Sequence, residues 1–136
     1  MVRFVPSVPG LSTPPGYSYA ASESGELVFF AGQVPLDADG KVVGRGDFDA
    51  QVRKTFANLR LVLESAGCTP AGVLKITYFV VGLTPERRGA IRAARDELFP
   101  AAAKPASTLI GVAALFDPEV LIEVEVVAAR ARASAK

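Results

Sequence analysis

The period of the apolar residues changes several times along this chain, and each change marks an element. Glu26 to Gly32 (ELVFFAG) is a short run with Val28, Phe29 and Phe30 at its centre and reads as a strand. From Val34 to Gly46 the pattern breaks. Pro35, Asp37, Asp39, Gly40, Gly44 and Gly46 supply turn chemistry there, with a small hairpin expected at Lys41 to Val43. Phe48, Val52, Phe56, Leu59 and Leu63 then recur at three- and four-residue spacing. That is an amphipathic helix, opened by Asp47 as N-cap and stopped by Gly67. Val73 to Val81 returns to a strand. Thr84-Pro85-Glu86 starts a second helix with proline at its first position, running to Phe99 before Pro100. Two more strands are expected at Ser107 to Leu115 and Val120 to Ala128. Residues 1–16, rich in Pro, Gly and Ser, read as an irregular arm.

This order implies an α/β domain, a sheet packed under two helices, with residues 1–136 forming one unit. The strand faces add a constraint. Leu74, Ile76, Tyr78 and Val80 share one face of their strand, and Val73, Lys75, Thr77, Phe79 and Val81 share the other. The strand at Ser107 to Leu115 is also apolar or small on both sides. Two helices cover one face of such a sheet, and the other is too apolar for water. Further copies of the chain are expected to bury it.

Composition narrows the function classes. The chain has 136 residues, 50% hydrophobic and 21% charged, which suits one packed core and excludes intrinsic disorder. Fifteen Lys and Arg against fourteen Asp and Glu leave a formal charge of +1, without the basic excess of a nucleic-acid partner. Histidine is absent, which removes Ser-His-Asp and Cys-His catalysis and His-ligated zinc. One cysteine, Cys68, allows neither an internal disulfide nor a multi-cysteine metal site. Pro6 and Pro9 interrupt any signal-like segment. The longest apolar stretches are short or carry Glu123 and Glu125, where a membrane span needs roughly 20 apolar residues. A cytoplasmic protein with no membrane partner is expected.

Several residues could carry chemistry, each with a plainer alternative. Glu123 and Glu125 share a strand face opposite the apolar row Ile122, Val124 and Val126. They are either a solvated pair or, in an oligomer cleft, a carboxylate with raised pKa that accepts a proton or orients water. Gly32-Gln33 either binds a ligand through its amides or closes a turn. Tyr17 and Tyr19 either stack on a planar ligand or close a core edge. Cys68 sits at a helix C-terminal end, where no positive dipole lowers its pKa, and reads as structural. Arg87, Arg88, Arg92 and Arg95 fall at mixed angles on the second helix. They read as a solvated face from which Arg92 or Arg95 could reach an anion. The scattered glycines form no phosphate cradle.

Taken together, a series of short segments resembles the Rid family, also called the YjgF family or endoribonuclease L-PSP-like proteins. The series begins with Gly16-Tyr17-Ser18-Tyr19-Ala20 and Leu27-Val28-Phe29-Phe30-Ala31-Gly32-Gln33-Val34-Pro35. It continues through Gly46-Asp47, Gln51, Asn58-Leu59, Ala66-Gly67, Lys75 and Thr77, then Pro105-Ala106 and Ile122 to Ala128, covering roughly residues 12–130. The resemblance implies a chorismate-mutase-like α/β fold, a mixed β-sheet with two helices on one face. It further implies a homotrimer around an inner barrel, with small-molecule clefts between subunits. Members of this kind hydrolyse reactive imines and enamines without metal or organic cofactor. In them, an arginine after Pro-Ala grips the substrate carboxylate, and a glutamate on the last strand helps hold the attacking water.

Carried over residue by residue, Glu123 matches that glutamate. Tyr17 matches the tyrosine of a Gly-Pro-Tyr motif whose proline is absent here. Ala31 occupies a frequent serine position, Leu109 a frequent cysteine position, and Arg92 lies near a family asparagine. Ser107 stands where the arginine is expected, followed by Thr108. A hydroxyl cannot replace a bidentate guanidinium–carboxylate contact. The implied function is therefore a divergent deaminase-like hydrolase of a small C–N compound, whose substrate lacks a carboxylate or has it bound elsewhere, by Arg92. The alternative is a trimer that binds a small metabolite without turnover.

Overall fold

The computed structural model describes residues 2–130. Six strands and two helices follow in order. These are β1 (Arg3–Val5), β2 (Ala20–Ser22), β3 (Glu26–Phe29), α1 (Phe48–Ser65), β4 (Val73–Val81), α2 (Pro85–Leu98), β5 (Ala106–Val112) and β6 (Ile122–Arg130). The helix boundaries follow from the expected chemistry. The Asp47 side chain accepts a hydrogen bond from Ala50 N, and Gly67 takes φ +70° just beyond the C-cap Ala66. Thr84 accepts from Arg87 N, with Pro85 opening α2.

The main sheet is mixed and open, in the order β3-β6-β4-β5; β4 and β5 are parallel and the other pairs antiparallel. Both helices pack on one face. Phe56, Leu59 and Leu63 of α1 and Ile91 and Leu98 of α2 join Ile76, Tyr78, Val80, Ile122, Val124 and Val126 in one core. The opposite face keeps large apolar side chains in the open. Phe29 is 74% exposed, Leu27 49% and Ile110 38%.

The structure departs from the expected pattern in several places. The strand expected over Glu26 to Gly32 ends at Phe29. The arm at residues 1–16 contains β1, which pairs antiparallel with β2; three residues are too few to reveal a period, and the pairing partner lies far along the chain. The hairpin at Lys41 to Val43 is reduced to a single bridge, Leu36 to Val42, because Asp37 Oδ1 accepts from the backbones of Asp39 and Lys41 and tightens the turn. The fifth strand stops at Val112, and the sixth runs on to Arg130 with Val120 buried in the loop before it. Finally, a register shift between Val73 and Lys75 turns Val73 into the core, away from the face that strict alternation assigns it.

Loops near the sheet are tied down by two side-chain amides of α1. Gln51, fully buried on α1, donates to Gly44 O (3.1 Å) and Glu119 O (2.8 Å) and accepts from Leu121 N (2.8 Å). Asn58 donates to Val34 O and Leu36 O, both at 2.9 Å. Gln51→Leu strips the partners from three main-chain groups. Chemical denaturation is expected to show a loss of about 2–4 kcal/mol, from the cost of unsatisfied buried polar groups. An unchanged midpoint would mean that water reaches them.

Candidate functional site

On the helix side, the 15–18 segment is pinned beside the start of β5. Ser18 N donates to Pro105 O (3.1 Å), Ser18 bridges Ala106, and Lys104 Nζ donates to Pro15 O (2.8 Å). Alternation along β5 then turns Ser107 and Leu109 the same way as their β4 neighbours Ile76 and Tyr78. A cavity of about 340 Å³ forms there, walled by Pro15, Gly16, Tyr17, Tyr78, Ser107 and Leu109 and by Arg88, Ile91, Arg92 and Arg95 of α2. Four of the sequence-matched residues, Tyr17, Arg92, Ser107 and Leu109, thus meet in one place.

Three of the four α2 arginines share one face. Arg88, Arg92 and Arg95 stand four and three residues apart, one stripe facing the cavity. Arg87 is the one set apart. Its guanidinium bonds the carbonyls of Val81 and Gly82 and lies 4.9 Å over the Phe48 ring. Arg95 pairs with Asp96 at 3.1 Å and presses on Gly16, where an added Cβ would lie 2.0 Å from its Nη2. Tyr78, 3% exposed and stacked on Phe56, has a hydroxyl with no hydrogen-bond partner. Its burial pushes the phenol well above its ordinary pKa. Reading strands singly misses Tyr78, which joins the cavity through the parallel pairing of β4 with β5.

Glu123 lies on the other face of the sheet, beside Phe79 in register. Its carboxylate rests against Gly32, where a Cβ would fall 1.9 Å from Oε2, so only glycine admits it in this position. Burial pushes the Glu123 carboxyl above its usual range, and the neighbouring Glu125 charge adds to the shift. Ala31, exposed, flanks this spot. Gln33 forms an antiparallel bridge to β6 rather than closing a turn: its backbone exchanges hydrogen bonds with Val124, and its amide donates to Ala31 O (3.0 Å). Thr108 also points away from the cavity and accepts from Lys75 Nζ at 2.5 Å, since adjacent strand residues face opposite ways.

The remaining candidates are structural. Tyr19 meets Tyr17 edge to face at 6.2 Å and donates its hydroxyl to Ser12 O. Cys68 is buried, and desolvation raises its thiol pKa, which suits packing rather than nucleophilic attack. Among the described residues, no group of three or more His, Cys, Asp or Glu could hold a metal ion. No described helix is long and apolar enough to cross a membrane.

A sequence profile described as "Endoribonuclease L-PSP" matches residues 11–130. The fold is similar to that of YyfB from Yersinia pestis, described as a member of the conserved Rid protein family. The two are 36% identical with a TM-score of 0.87, over 95% of this chain and 98% of that one. The chain belongs to the Rid family. Relatives of this Rid protein include the RutC family protein YjgH of Escherichia coli, 38% identical over 76% of this chain and 78% of YjgH. A RutC family protein of Pyrococcus abyssi is 30% identical over 85% of this chain and 87% of its own length. The mixed sheet with two helices is accordingly the YjgF fold, and the Rid resemblance read from the sequence is borne out.

Proposed function

We propose that this Rid protein is a hydrolase of reactive imines, enamines or related small C–N compounds, acting without cofactor in clefts between subunits. The single observation that carries this reading is the placement of Glu123. A partly desolvated carboxylate sits on the open sheet face that also carries the exposed Leu27, Phe29 and Ile110, where burial tunes it toward proton uptake. Glu123 and Ser107 lie on opposite faces of one sheet, so a site that uses both needs two copies of the chain. The exposed Leu27, Phe29 and Ile110 offer the surface for that contact. A homotrimer with these faces forming an inner barrel, in the chorismate-mutase-like arrangement, joins Glu123 and Ala31 of one subunit to Tyr17, Arg92, Ser107 and Leu109 of another. Thr108 then belongs to the subunit contact. The whole chain acts as one cytoplasmic domain.

In such a cleft Glu123 accepts a proton from water as the water oxygen bonds to the imine carbon. Glu123 returns that proton to the nitrogen, giving a neutral carbinolamine; its C–N bond then breaks as the hydroxyl proton passes through Glu123 to the departing nitrogen, leaving a carbonyl product and ammonia. Tyr17 closes one side, and Ser107 offers a hydroxyl to the substrate. An enamine would enter as its imine tautomer.

The test is imine hydrolysis by the purified protein, with imines generated in situ by an amino-acid oxidase or an amine oxidase and a scavenger reporting what remains. Faster loss of imine than in buffer is expected. Silence on both sources overturns the hydrolase reading in favour of a non-catalytic metabolite-binding trimer, which Ser107 at the arginine position favours. A ribonuclease reading, which the profile's description suggests, is opposed by the net charge of +1 and the lack of histidine. It would need RNA binding that weakens steeply with salt.

A further inference from the structure

We propose that the cleft selects ligands bearing two separated carboxylates, held between Arg88 and Arg92. This deepens the reading of the cavity as a ligand site and does not depend on the hydrolysis itself. Of the three arginines facing the cavity, Arg95 is engaged by Asp96. The exposed guanidinium groups of Arg88 and Arg92 make no hydrogen bond or ion pair among the described residues, and no Asp or Glu lines the cavity. The cavity therefore presents two uncompensated guanidinium groups, one helical turn apart. A rise of 1.5 Å per residue separates their backbones by about 6 Å along the axis. That spacing suits anionic groups at two ends of a short chain better than a phosphate monoester, which concentrates both charges on one group. Each guanidinium offers a fork that matches a carboxylate.

The neutral part of the wall agrees. The buried Tyr78 hydroxyl lacks a partner, and Ser107 lines the same cavity. A buried hydroxyl left unpaired costs stability, so an acceptor on a bound molecule relieves it. Tyr17 and Leu109 cover the carbon skeleton. A volume of about 340 Å³ lies at the lower end of small-molecule sites, suited to a four- or five-carbon chain. The anion handle thus sits on α2 rather than at Ser107, and the corresponding substrates are imines of dicarboxylic amino acids.

Calorimetric titration of the full chain with 2-oxoglutarate, 2-oxobutyrate and glycerol phosphate tests this directly. The dicarboxylate is expected to bind at least about tenfold more tightly than either competitor, as an added charged hydrogen-bond pair implies. Arg88→Gln and Arg92→Gln should each abolish that preference. Tyr78→Phe should weaken binding severalfold without lowering Tm, because its hydroxyl bonds nothing in the free chain. Equal affinities, tighter binding of the phosphate ester, no binding at all, or a preference that survives both arginine variants overturns the proposal. Dicarboxylate selectivity without imine turnover sinks the hydrolase reading and leaves this one standing; turnover without selectivity does the reverse.

Discussion

Glu123→Gln is expected to lower imine turnover by about 10²–10⁴-fold, the usual contribution of a positioned general base, while making the chain more stable at neutral pH. The two effects have one origin. Glu123 is partly desolvated and faces Glu125, and both conditions disfavour its ionised form. A carboxyl whose folded-state pKa lies above the unfolded value of 4.5 binds its proton more readily in the folded chain. Its ionisation therefore costs folding stability at neutral pH, and that cost vanishes as pH falls below the unfolded value. Glutamine keeps the shape and removes the charge. The Tm advantage of the variant should be present at about pH 7 and gone near about pH 4. Wild-type activity should rise with pH through a midpoint above 4.5, as the base loses its proton. Thermal melts and initial rates across the same buffers measure both. A variant that is inactive but no more stable would mean that solvent already reaches the carboxylate; one that stays active would remove Glu123 from the chemistry.

Phe29→Asp is expected to break the assembly and, with it, all activity. Phe29 is 74% exposed at the end of β3, so it contributes little to the folding of a single chain. Burying such a ring against a neighbour is worth about 2–3 kcal/mol, and a closed ring of subunits repeats that gain at every contact. Aspartate reverses it by placing a charge in an apolar seam. Sedimentation velocity should show monomers, with the far-ultraviolet circular dichroism unchanged. A particle of unchanged size would place the subunit contact elsewhere. An active monomer would sink the two-copy site altogether.

The elements were legible because their signals are local. Asp47, Gly67, Thr84 and Pro85 each fix a boundary within one turn of helix, and each acts as its type predicts. The β4 bulge was not legible: Val73 faces the core only because the ladder to β6 slips, a non-local event. Strand β1 was hidden for the same reason. Of the candidate site, Tyr17, Ser107 and Leu109 could be placed together by resemblance, and Arg92 with them. The sorting of Ser107 and Thr108 to opposite faces follows from strand alternation alone. The arginine stripe was obscured by Arg87, whose neighbour Arg88 has a different destination one residue on. Tyr78 needed the β4–β5 pairing, which no local pattern reports.

The strand order β3-β6-β4-β5 also governs when the protein can be made. β6 occupies an interior position, yet it is the last of the described strands to be synthesised. Until it emerges, β3 and β4 have no shared neighbour, and Glu26 to Phe29 must wait for partners at Val127 to Arg130. Pairings of such separation in sequence are slow to find. The nascent chain therefore carries α1, β4, α2 and β5 as a half-built layer with exposed edges, open to capture by chaperones or by other nascent copies.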